Sequence, residues 1–206
     1  MHWLGLLSLA SAGLVVARWM LARTDALGRP RAFPTLWVVL LVLLGLGALT
    51  PLALRVRLED RLSDAASALV GAEVRVHCQP FGGAFVDAGA ELGYVRFGPD
   101  GVPERATLIK REQCRDLSSY LRSDKEEPSL EQVVAVHTLT HEAMHMSGVT
   151  SESETECLAV MRDAEMSRLL GASSTAAARL ASTYWEQHYP RMPVGYRSEN
   201  CAGPLP

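Results

Sequence analysis

The sequence predicts an α+β protein: two apolar helices, then a small antiparallel sheet, then a helical core. Three observations predict it. Two long stretches before residue 55 carry no charge. Between residues 74 and 110, short runs rich in β-formers are punctuated by Gly and Pro. Beyond residue 113 the apolar residues recur at helical spacing, with Ser at starts and Gly at ends. Strands followed by helices is the order of an α+β domain.

Residues 1–17 are uncharged, and with Arg18 snorkelling the run extends to Ala22. No basic segment precedes it and no short cleavage site follows before Arg18, so a retained helix over about 2–22 is expected rather than a signal peptide. Residues 32–54 form a second uncharged run between Arg31 and Arg55. It is long enough to cross a bilayer over about 33–54, with Trp37 near one interface and Pro51 close to the end. The connecting loop carries Arg18, Arg23, Arg29 and Arg31 against Asp25; the segment after the second run carries Arg55, Arg57 and Arg61 with Glu59 and Asp60. That bias favours a cytoplasmic loop. It predicts a membrane hairpin over 1–54 and an extracytoplasmic domain over 55–206, in a protein of the cell membrane.

Four of the twenty basic residues and one of the twenty-three acidic ones precede Arg55, so the domain carries sixteen against twenty-two. Net negative charge argues against nucleic acid and against an anionic membrane surface as partner. Its length suits one domain with a real core. A helix is expected over 55–70, with Leu58, Leu62, Ala66 and Leu69 on one face. Strands follow over 74–78, 84–87, 92–97 and 106–110, then a short helix over 113–122 and a charged loop over 123–128. A last helix covers 174–188, and a Pro-rich tail over 189–206 has no regular structure.

Between them lies the stretch that carries chemistry, His141-Glu142-Ala143-Met144-His145. Positions i and i+4 share a helical face, so both imidazoles can reach one zinc ion, and Glu142 can hold and deprotonate a water there. Ser129 with Gln132 reads as a capping box opening this helix, and Gly148 suits its end. Ser151 with Glu154 reads as a second box, opening a helix from about 152 to 170 with Gly171 after it. So short a connection makes the two helices antiparallel neighbours. Folding back brings Glu152 level with His145 and Glu156 level with His141, and the two acids share a face.

This pairing resembles the gluzincin metallopeptidases, in which a second helix carries Glu-x-x-x-Asp. The resemblance implies zinc held by His141, His145 and Glu152, with Glu156 as the acid that orients the first histidine or as the alternative third ligand. Here that acid is Glu rather than Asp, and the link from His145 to Glu152 is short. A metzincin arrangement would put its third ligand at Ser151, a poor donor. Glu156-Cys157-Leu158-Ala159 and the later Tyr196 to Cys201 also resemble a group of uncharacterised bacterial membrane proteins with an extracytoplasmic HExxH domain. The function implied is a membrane-anchored zinc metallopeptidase acting on peptides or proteins, with Glu142 as general base. A non-catalytic zinc module that braces helices or binds a partner is the alternative.

All four cysteines lie in the domain, and an even set suits disulfides in an oxidising compartment. Three pairings are possible; Cys78–Cys114 with Cys157–Cys201 is favoured, closing the strands onto the next helix and the tail onto the helix of Glu152. His137, one turn before His141, reads as a packed or hydrogen-bonded residue. Tyr184, Tyr189 and Tyr196 could each donate to an oxyanion, and nothing in the sequence selects one. His77 and His188 read as surface or capping residues.

Overall fold

The computed structural model describes residues 2–25, 27–80 and 91–205. The chain divides into two compact units, Met1–Arg57 and Leu58–Pro206. The first holds helix α1 (His2–Leu21) and the first part of helix α2 (Thr35–Val70). In their most apolar windows only 11% and 6% of the residues are buried, whereas the core helix of a soluble domain is mostly buried. Leu7, Leu14, Trp37 and Leu44 all stand exposed. The two helices meet at glycines: a Cβ on Gly5 would come 2.9 Å from Leu49 Cγ, and one on Gly45 would come 2.6 Å from Leu9 Cγ. Ser8 Oγ adds a hydrogen bond to the Leu41 carbonyl at 2.7 Å.

One helix runs where two were expected. α2 continues through Arg55 to Val70, which places Pro51 inside it rather than near an end. Pro51 removes one backbone donor, and the helix continues on either side of it. From Leu58 onward α2 belongs to the second unit, where Leu62, Ala65, Ala66 and Leu69 enter the core.

Strands β1 (Arg75–Cys78), β2 (Gly93–Phe97) and β3 (Pro103–Ile109) form a sheet of order β1-β3-β2. β2 and β3 pair antiparallel, as a hairpin must. β1 pairs with β3 in parallel, so the sheet is mixed rather than antiparallel. Only the Pro99-Asp100-Gly101 turn forces antiparallel neighbours; the long connection from β1 to β2 permits either direction. The strand expected over 84–87 lies outside the described residues.

Among the described residues, the edge of β1 away from β3 faces side chains of α2. The backbone N–H of Cys78 donates to Glu59 Oε1 (2.9 Å), that of Val76 to Ser63 Oγ (2.9 Å) and that of Val74 to Ser67 Oγ (3.0 Å). Four helical residues rise about 6.0 Å and two strand residues about 6.6 Å, so the three rungs stay in step.

Helix α3 (Arg111–Arg122) begins two residues before its expected start. α4 (Leu130–Met146) opens with the expected capping box: Ser129 Oγ accepts from the Gln132 N–H, and Gln132 Oε1 accepts from the Ser129 N–H. α5 (Glu152–Leu169) opens at Ser151, but no side-chain cap forms there. The Ser151 hydroxyl instead lies 3.4 Å from that of Ser153. Gly148 and Gly171 follow α4 and α5 with φ of 112° and 99°, backbone that favours glycine. α6 (Ser174–Gln187) is capped by Ser173. The tail holds two 3₁₀ turns, Tyr189–Arg191 and Val194–Tyr196, where no regular structure was expected.

Both favoured disulfides are present, Cys78–Cys114 and Cys157–Cys201. α4 is the central element: every residue from Ala135 to Met146 is buried. It packs among α3, α5, α6, β2 and β3. A helix enclosed on all sides presents its polar residues to neighbours rather than to water, and that produces the site.

Candidate metal centre

Three histidines run along α4 at intervals of four, His137, His141 and His145. Three acids run the opposite way along α5, Glu152, Glu156 and Asp163. Because the helices are antiparallel neighbours, the two stripes interdigitate. His145 Nε2 lies 3.5 Å from Glu152 Oε2, and His141 Nε2 lies 3.2 Å from the same oxygen. His141 Nδ1 lies 3.0 Å from Glu156 Oε2, which is also 3.0 Å from His137 Nε2. His137 Nδ1 closes the series 2.8 Å from Asp163 Oδ2. One end of the ladder is open, with the Glu152 side chain 47% exposed; at the other, Asp163 is fully enclosed.

Proton positions follow from the partners. His145 Nδ1 lies 2.8 Å from the Val149 carbonyl, which only accepts, so Nδ1 carries hydrogen. His141 Nδ1 donates to the Glu156 carboxylate. Both Nε2 atoms therefore converge across 3.1 Å beside the Glu152 carboxylate oxygen, three acceptors that only a shared proton or a metal can reconcile. Such a cluster needs a cation. A proton serves one pair at a time: burial lowers the His141 pKa, but the hydrogen bonds its ring donates to Glu152 and Glu156 hold it above its ordinary value. A metal serves all three donors. Tetrahedral zinc with bonds of about 2.0–2.2 Å has ligand–ligand edges of about 3.3–3.5 Å, and these donors stand 3.1, 3.2 and 3.5 Å apart. The donor set and its spacing fit zinc.

Glu142 leaves α4 on the side facing the sheet. Its carboxylate packs against Gly93 of β2, where a Cβ would come 3.0 Å from Oε1. Thr107 Oγ1 of β3 lies 3.4 Å from Oε2 and 3.0 Å from the Tyr94 carbonyl. Burial raises the Glu142 carboxyl to about 7. A cavity of about 470 Å³ joins Glu142 to His141, His145 and Glu152, with Leu92, Phe97, Val134 and Met192 among its walls.

The expected ligands and base thus share one cavity, and Glu156 sits where the acid orienting His141 was expected. Three residues named from the sequence acquire specific partners. His137 is hydrogen-bonded, as expected, and its partners are two carboxylates, Asp163 and Glu156. Tyr184 donates to Glu156 Oε1 at 2.6 Å and stacks on the His137 ring at 3.5 Å, so its hydroxyl is engaged. Tyr196 reaches the cavity wall, its ring 6.0 Å from that of His141. The spacing of Asp163 carried a signal, because eleven residues beyond Glu152 return to within about 20° of the same helical stripe.

Compared with family models, with curated proteins and with solved structures, the chain matches none.

Proposed function

We propose that this protein is a membrane-anchored zinc metallopeptidase whose catalytic domain lies outside the cytoplasm. The observation that carries the reading is the trio His141 Nε2, His145 Nε2 and Glu152 Oε2 at tetrahedral-edge spacing, with the buried Glu142 in the same cavity. Zinc held there would supply a Lewis acid and bring water toward a neutral pKa. Glu142 takes a proton from the attacking water and returns it to the leaving amine. Its burial favours this, since a base poised near neutrality can both accept and give. Glu156 keeps His141 in the Nδ1–H form, and the Val149 carbonyl does the same for His145.

Two mostly exposed apolar helices support the anchor, and alkaline extraction should leave the protein with the membrane. Two disulfides support an oxidising compartment. The deciding experiment pairs metal analysis with peptide cleavage on the detergent-purified chain. Glu142→Gln should keep its zinc and lose activity about 100-fold or more. Wild-type protein that holds no zinc sinks the reading. A Glu142→Gln protein that cleaves as well as wild type leaves only a bracing role for the metal.

A further inference from the structure

We propose that His137, paired with Asp163, is a positioning residue that locks Glu156 against His141 and thereby prepares His141 Nε2 as a metal donor. This rests on the metal centre proposed above and adds a layer beneath it. Carboxylates accept hydrogen bonds and do not donate them. His137 places Nδ1 2.8 Å from Asp163 and Nε2 3.0 Å from Glu156, so both ring nitrogens carry hydrogen and the ring is a cation. That cation is 3% exposed and enclosed by its partners. Its face lies on the Tyr184 ring at an interplanar angle of 11°, an arrangement that favours positive charge.

The consequence falls on Glu156. Tyr184 holds Oε1, His137 holds Oε2, and the remaining capacity of Oε2 is aimed at His141 Nδ1. A carboxylate pinned at both oxygens cannot rotate away, and His141 is held in one tautomer. Without His137, Glu156 would be a buried carboxylate free to turn or to take a proton. The same three residues, His137, His141 and Glu156, also offer a possible cation site of their own. A metal there would have to strip both ring protons from His141 if zinc also sits at Nε2. The proton on His137 provides the positive charge without that cost.

The test uses the full chain in detergent and zinc itself, with affinity read by chelator competition. Wild type should bind one zinc per chain. His137→Gln and Asp163→Asn should each weaken binding about 10–100-fold, the range for residues that orient metal ligands. Tyr120→Phe is the control: it breaks a buried 2.7 Å bond to Ser167 and should leave affinity within about twofold. Should His137→Gln fail to fold, Asp163→Asn carries the comparison. Nitrogen-15 shifts of zinc-free protein at alkaline pH give a second readout, a single Nδ1–H form of His141 in wild type and a mixture in the variants. Folded variants with wild-type affinity would overturn the proposal, as would a control that falls equally or a second zinc that disappears in His137→Gln. If wild type binds no zinc the metal reading fails, while the ring shifts still decide the clamp.

Discussion

A methyl group on Gly93 would compete for space with the Glu142 carboxylate, which nothing on β2 now crowds. Gly93→Ala should therefore push Glu142 by a few tenths of an ångström and lower peptide cleavage about tenfold or more, with zinc content unchanged. Steady-state kinetics beside metal analysis checks this; a loss of zinc would mean that the methyl distorts α4 instead. His137 makes a pH prediction. Burial alone would lower its pKa, but the charges of Asp163 and then Glu156 overcome burial and lift it to about 10. A raised pKa stabilises the fold fully below the unfolded value of about 6.5 and loses that contribution as pH rises through about 10. Unfolding of metal-free protein, followed between neutral pH and pH 10, should show stability falling more steeply in wild type than in His137→Gln.

At the scale of elements, α2 and β1 form a unit through Ser63, Ser67 and Glu59. The double change Ser63→Ala with Ser67→Ala leaves two strand N–H groups without their partners and should cost about 1 kcal/mol per bond, read from chemical denaturation. This pairing could not be read from the sequence, because it needs the helix and strand already side by side. The Ser129–Gln132 box was legible because a cap is chemistry between residues three apart. The His141, His145 and Glu152 grouping was legible for a related reason: a connection of only five residues leaves two helices little choice but to run antiparallel. The direction of β1 was not legible, since a long connection constrains nothing. For His137 a hydrogen-bonded role was legible, but its partners were not, because Asp163 and Glu156 lie on another helix. The three-acid stripe on α5 becomes meaningful only when it is set opposite the three histidines.

The whole molecule is cross-linked twice, over sequence separations of 36 and 44 residues. Chain-entropy arithmetic gives each bridge about 4 kcal/mol of stabilisation. Replacing either pair by Ser should lower unfolding free energy by up to that amount, and peptide mapping without reductant should find both links in wild type. Loss of Cys157–Cys201 should cut cleavage more than loss of Cys78–Cys114, because the tail it tethers brings Tyr196 to the cavity wall. The two covalent rings share no residue. The first closes at Cys114 in α3 and the second opens at Cys157 in α5, so α4 hangs on the chain between them and inside neither. No cross-link restrains the helix that carries His137, His141, Glu142 and His145; enclosure alone keeps it in place. An oxidant can secure the frame of this protein, but only the folded core can secure its centre.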